Sequence, residues 1–254
     1  MQVPNSITVS FIIPCYNAAS SLERLLNELP RQTYPHGLIE VVVIDDGSTE
    51  SVFPVFEAFK ARFADFSHFS LIRHTVNRGR ASARNSGIMA SSGEILIFCD
   101  VDDYPAPDYI EKTIALHTQF RLVAVRANIR ILPEIRRRSA FLRYRDSRYL
   151  GARSKAELNR LNADNLPPSY FVTCGISVER ASIMAVGLFD ETFSSYGGED
   201  EDMGFRLFCS GVRIIFSADS VMWDADCKLT VSGACSKYKR YGADSGDILF
   251  AKHP

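Results

Sequence analysis

The sequence predicts an α/β domain built on a mainly parallel sheet with helices on both faces. Two observations carry this. Strand-length apolar runs alternate with stripes at helical spacing through the first half, and nearly every run ends in a polar or acidic turn. Strand–helix–strand alternation implies right-handed crossovers. In such sheets ligands gather at the carboxyl ends of the strands.

The elements follow in order. Val9 to Ile13 is an apolar run stopped by Pro14, and Leu22, Leu25, Leu26 and Leu29 then repeat at helical spacing, with Ser20 and Glu23 placed as a capping box. Glu40 to Ile44 reads as a second strand. Val52, Val55, Phe56, Phe59 and Phe63 trace a second helix. Phe69 to Arg73 is a third strand, Ala81 to Ser91 a helix and Ile95 to Cys99 a fourth strand. Pro107 to Phe120 reads as a helix and Leu122 to Val125 as a strand. The second half is less regular: Phe171 to Val178 and Arg213 to Phe216 read as strands, Asp200 to Ser210 as a helix. No repeat, low-complexity tract or linker divides the chain. One domain is expected, with a nucleotide-binding half over about 1–126 and an acceptor half over about 127–254.

Composition narrows the classes. The 254 residues suffice for one substantial core. A net charge of -1 excludes the global positive field that a nucleic-acid partner needs. No apolar run nears the roughly 20 residues of a membrane span. Met1 to Thr8 lacks the pattern of a signal peptide, so a cytoplasmic location is expected. The six cysteines include no Cys-x-x-Cys pair, which argues against a zinc site.

Four segments carry chemistry. Asp100-Val101-Asp102-Asp103 follows a buried strand, and carboxylates this close repel unless a cation offsets them. A hard divalent ion would do so, with a diphosphate as its partner; an acidic turn capping the next helix is the plainer reading. Asp45-Asp46-Gly47-Ser48 is either a simple turn or a carboxylate offered to the imide of a uracil. Asn77 to Gly87 puts glycines and arginines at a helix start, where anions bind, or is a solvated basic turn. Gly197-Gly198-Glu199-Asp200-Glu201-Asp202 has more acids than helix capping requires, and one of them beside an acceptor hydroxyl would be a general base. Separately, the arginine-rich 136–153 stretch interleaves Phe141, Leu142, Tyr144, Tyr149 and Leu150, as in a segment lying peripherally on the inner face of a membrane; a solvated helix and loop is the alternative.

These segments, in this order, resemble the family 2 glycosyltransferases with the GT-A fold, a Rossmann-like arrangement. The resemblance spans Val9 to Asn17, Val43 to Thr49, Asn77 to Gly87, Phe98 to Tyr104 and Val186 to Leu207. It implies that Pro14, Tyr16 and Asn17 line the nucleoside pocket, that Asp46 contacts the base, and that Arg84 reaches the donor's ribose or phosphates. It implies an Asp-x-Asp element of Asp100 and Asp102 holding Mn²⁺ or Mg²⁺, with Asp102 the direct ligand. Asp200 is implied as catalytic base, with Glu199 contacting acceptor or donor sugar and Gly198 opening space beside them. Many relatives carry a histidine metal ligand near 221–226; here the stretch is Val221-Met222-Trp223-Asp224-Ala225-Asp226, so Asp224 or Asp226 substitutes or no third protein ligand exists. Retaining relatives carry Asn where this chain has Asp200, which implies inversion. The expected activity is transfer from a nucleotide-sugar donor, UDP-sugar favoured, to a glycan or lipid-linked hydroxyl. The alternatives are an inactive nucleotide-sugar or glycan-binding module on the same fold, and a nucleotidyltransferase.

Overall fold

The computed structural model describes residues 7–193, 196–225 and 230–253. Strands β1 (Val9–Cys15), β2 (Ile39–Asp45), β3 (His68–Arg73) and β4 (Ile95–Phe98) are mutually parallel, connected through helices α1 (Ala19–Glu28), α2 (Phe53–Phe59) and α3 (Arg80–Ala90). Then come β5 (Asp103–Pro105), α4 (Tyr109–Gln119), β6 (Val123–Ile131), α5 (Pro133–Arg136), α6 (Ala140–Arg148) and α7 (Lys155–Leu161). The last third holds β7 (Ile176–Glu179), α8 (Arg180–Val186), α9 (Glu199–Cys209), β8 (Arg213–Asp224), α10 (Val231–Arg240) and α11 (Gly246–Lys252), the last two joined by a π-helical turn over Tyr241–Ser245. The eight strands form one sheet in the order β3-β2-β1-β4-β7-β6-β8-β5. Strand β7 runs antiparallel to both β4 and β6, β8 returns parallel to β6, and β5 lies antiparallel along the end of β8.

The near-continuous apolar runs of β1, β2 and β4 reflect burial on both faces. Ile13, Val41 and Val43 pack on one side with Leu22, Leu25 and Leu26 of α1; Ile12, Val42 and Ile44 pack on the other with Ala81, Ala83 and Ile88 of α3. Pro14 does not end β1, contrary to expectation: it stays in register with Ile44. Its missing N–H faces the β4 side, where pairing stops at Ile12 with Phe98, so no ladder bond is lost. The capping box at Ser20 is also absent. Helix α1 begins two residues earlier, after Ala18, whose carbonyl accepts from Ser21 and Leu22.

The sheet must curl. Residues 99–102 join β4 to β5 across three intervening strands. In a flat sheet that gap is about 19 Å at 4.8 Å per strand, close to the limit of a fully extended link of this length. Yet the link contains a turn, with Asp103 N–H donating to the Asp100 carbonyl at 3.0 Å. The end of β8 therefore folds back over the carboxyl ends of the central strands, and the acidic turn lies directly above them.

Candidate active site

A cavity of about 570 Å³ opens at the carboxyl ends of β1, β2 and β4, within the range of small-ligand sites. Its floor is made by Pro14, Cys15, Tyr16, Asp46 and the first turn of α3; Asp100, Val101 and Asp102 form one wall, and Tyr196, Lys237 and Arg240 another.

Gly47 lets the turn after β2 pass close beneath Val76 and Asn77. Its φ is +72°, and a Cβ there would collide with both backbones. That approach puts Asp46 under the 78–79 loop. Its Oδ1 accepts from Arg78 N–H at 2.9 Å and lies 2.7 Å from His74 Nδ1, and its Oδ2 accepts from Gly79 N–H at 2.9 Å. His74 is fixed in turn by Ser86 at 2.9 Å. A carboxylate oxygen accepts two bonds, so Oδ2 retains spare acceptor capacity in a residue that borders the cavity. Asn17 departs from its expected role. Its side chain accepts from the N–H and hydroxyl of Thr49, stitching the turns after β1 and β2, and it is not among the cavity-lining residues.

The acidic turn divides. Asp100 and Asp102 line the cavity, but Asp103 begins β5, is 2% exposed and stands opposite Asp224 in register. Burial, then Asp100, Asp102 and Asp224, push its carboxyl well above the usual range. The donor set fits a hard divalent ion. Asp100 and Asp102 offer carboxylates to the cavity, and the buried Oδ2 of Asp103 makes no hydrogen bond among the described residues. Ligand atoms of Asp100, Asp103 and Cys174 lie within 4.8 Å of one another. Neither Asp102 nor Asp224 is among these three; the Asp224 Oδ2 accepts from Tyr149 at 2.7 Å and pairs with Arg145 at 2.9 Å. Asp226 lies outside the described residues.

Arg84 organises the other acids. On α3, at 3% exposure, it donates to Glu199 at 2.8 Å and Asp200 at 3.2 Å, and stands 3.7 Å from Asp100. Burial alone would lower its pKa; Asp200, Glu199 and Asp100 outweigh it and raise it. The guanidinium expected on the donor is thus largely committed to the chain's own carboxylates, although it also borders the cavity. Asp200 accepts from Thr173 N–H at 3.1 Å and lies 3.1 Å from the Thr173 hydroxyl. Burial pushes its pKa up to about 6, Arg84 opposes this, and Glu199 adds to it. Glu199 keeps Oε2 without a hydrogen bond among the described residues. Gly198, at φ +93°, turns the chain into α9 beneath Phe193 and Ser245 and does not itself line the cavity. Thr173, Lys237 and Arg240 were not legible in the sequence, because nothing local marks a residue that meets the site from a distant element.

The arginine-rich segment differs from an interfacial helix. Leu142 and Leu150 are buried, and Leu142 packs with Ile131 and Ile135. Arg130 and Arg136 pair with Asp146, and Arg145 pairs with Asp224. Tyr144 alone of the interleaved apolar residues is exposed, beside charge from Arg137, Arg138, Arg143 and Arg148. Among the described residues no helix is long and apolar enough to cross a membrane.

A curled, largely parallel sheet with an acidic turn over its carboxyl edge defines the GT-A class of nucleotide-sugar folds. Residues 10–178 match glycosyl transferase family 2, and the chain belongs to that family. It is 29% identical over 230 residues to validoxylamine A glucosyltransferase of Streptomyces hygroscopicus subsp. jinggangensis, covering 84% of this chain and 54% of that protein. It is 31% identical over 214 residues to pre-mycofactocin glycosyltransferase of Mycobacterium tuberculosis, covering 83% and 41%. The chain thus spans about half the length of these relatives. The mannosyltransferase PcManGT of Pyrobaculum calidifontis, solved with GDP-Man and Mn²⁺, has the same fold, with TM-score 0.74 at 22% identity over 98% of this chain and 65% of that one. TarS of S. aureus with UDP gives 0.68 at 17% identity over 94% and 65%.

Proposed function

We propose that this chain transfers a sugar from a nucleoside diphosphate donor to a hydroxyl acceptor, with inversion and with Asp200 as general base. The observation that carries the reading is the Asp100–Arg84–Asp200 arrangement. One buried guanidinium ties the carboxylate at the donor's diphosphate to the carboxylate at the acceptor, so both are positioned before substrate arrives. A base titrating at about 6 is largely ionised at neutral pH and still able to hold a proton.

In this reading Asp102 and Asp100 hold a Mn²⁺ or Mg²⁺, which when bound neutralises charge on the leaving diphosphate. The chain's own residues do the rest. Asp46 Oδ2 presents its open acceptor position to the base, which suits the imide N–H of uracil, and Pro14 and Tyr16 border the same floor. Thr173 and Arg84 keep the Asp200 carboxylate fixed while it takes the acceptor's proton. The acceptor is a glycan or lipid-linked glycan, and any contact of 136–153 with an anionic bilayer is electrostatic. The test is donor hydrolysis and transfer across a panel of nucleotide sugars, with and without Mn²⁺. Binding of nucleotide sugars with no turnover under any condition would leave only a binding module.

A further inference from the structure

The wall of the cavity facing the acidic turn carries a cluster that the reading above does not use. The ring of Tyr196 has the Arg80 guanidinium 4.8 Å from its centroid, the Lys237 ammonium at 5.6 Å and the Arg240 guanidinium at 5.9 Å. All four residues line the cavity. Arg80 opens α3, while Lys237 and Arg240 stand three residues apart on one face of α10. None of these three cations makes an ion pair among the described residues. By contrast Arg78, Arg84, Arg130, Arg145 and Arg206 each have a carboxylate partner. Cation–π contact with the ring offsets only part of their mutual repulsion. Unpaired like charges converging on a ligand-sized cavity point to an anion between them.

Resting on the nucleotide-sugar reading, we infer that Arg80, Lys237 and Arg240 hold the sugar-bearing phosphate of the donor and take up its charge as the sugar departs. In the transfer, the bond between the anomeric carbon and the phosphate oxygen breaks with its electron pair going to that oxygen. The acceptor oxygen bonds to the carbon, and its proton passes to Asp200. The leaving nucleoside diphosphate thereby gains one negative charge. Asp100 and Asp102 balance a divalent ion, so Arg80, Lys237 and Arg240 face the roughly three charges of the departing diphosphate.

The experiment is calorimetric binding of UDP, UMP and inorganic pyrophosphate, in Mn²⁺ and in EDTA, to the wild type, to Lys237→Met/Arg240→Met and to Arg80→Met. The affected side chains are half-buried or exposed, and thermal melting checks that the variants fold. Expected is a loss of at least about tenfold for UDP and pyrophosphate, the scale of one or more lost charge-assisted contacts, with UMP changed far less and a loss also visible in EDTA. UDP affinity unchanged in both variants overturns the inference. Equal losses for UDP and UMP also overturn it, because the contacts would then lie at the nucleoside's own phosphate. Wild-type protein that binds no nucleoside diphosphate, GDP and dTDP included, would instead sink the nucleotide-sugar reading itself.

Discussion

Asp200→Asn keeps the side-chain volume and removes the proton acceptor. In the native site Asp200 receives the Thr173 N–H at 3.1 Å and the Arg84 guanidinium at 3.2 Å, with the Thr173 hydroxyl at 3.1 Å. The amide oxygen can keep the Thr173 N–H, and the Thr173 hydroxyl can reverse and accept. The amide nitrogen then faces Arg84, donor against donor, while Arg84 retains Glu199 at 2.8 Å. The structural loss is one charge-assisted hydrogen bond, about 1.5–3 kcal/mol. For a domain of this size that is about 3–12 °C in Tm, at 2–4 °C per kcal/mol. The catalytic loss is larger: removing a general base costs about 10² to 10⁴ in rate, equivalent to about 2.7–5.4 kcal/mol of barrier. Initial rates at saturating donor should fall by that factor while UDP binding stays near the wild type's. The pH profile gives a second reading. Burial raises the Asp200 pKa to about 6, and the base works only when ionised. Activity of the wild type should therefore decline as pH falls through about 6, and that limb should vanish in the variant. Near-full transfer by Asp200→Asn, or an acid limb at an ordinary carboxylate pKa, would refute the assignment and transfer it to Glu199.

Arg84→Met leaves Glu199 and Asp200 without their shared buried cation, a loss of about 3–5 kcal/mol that a melting curve will show as a drop of roughly 6–20 °C; a shift of a degree or two would mean the carboxylates are held by something else. Asp102→Ala should abolish the Mn²⁺-dependent part of UDP-sugar affinity in calorimetry, and equal affinity in EDTA and Mn²⁺ for the wild type would remove the metal assignment. UDP should raise the melting temperature more than GDP or dTDP, given the open acceptor position on Asp46; a larger shift with GDP rejects uracil. Sedimentation with anionic vesicles should be lost at high salt, since Leu142 and Leu150 face the core; retention by neutral vesicles would indicate apolar insertion instead.

Strands β1, β2 and β4 were legible because they are buried on both faces and so read as near-continuous apolar runs, whereas the half-buried β3 shows itself only through Phe69, Leu71 and Ile72. The acidic turns were legible because chemistry concentrates them in adjacent residues. Strand β8 was foreshortened: Ser217-Ala218-Asp219-Ser220 breaks its apolar pattern just where the pairing with β6 slips between Arg126 and Asn128, and the strand resumes through Val221 to Asp224. Strand β6 was likewise cut at Val125, because Arg126, Asn128 and Arg130 alternate with buried Ala127, Ile129 and Ile131. Helix α10 went unseen because it buries none of its residues and so presents no apolar stripe. The site followed the same division. Asp46, Asp100 and Glu199 declare themselves locally, whereas Thr173 reaches Asp200 only through the fold, and Asp103 looked like a third member of the acidic mouth until β5 carried it inward.

Strand β5 has a consequence for how the molecule can vary. It leaves the central strand β4 and pairs at the far edge with β8, so the four-residue span bearing Asp100 and Asp102 is moored at both ends to different parts of the sheet. Ala225 N–H adds a further tie to the Asp102 carbonyl at 3.0 Å. A loop anchored this way behaves like a bridge deck with one pier on each bank. Replacement of residues along the end of β8, chosen to admit a different acceptor, will move the piers and retune the ion and donor at the same time. Swapping the second half of the chain as an independent cassette would therefore carry the donor site along with it.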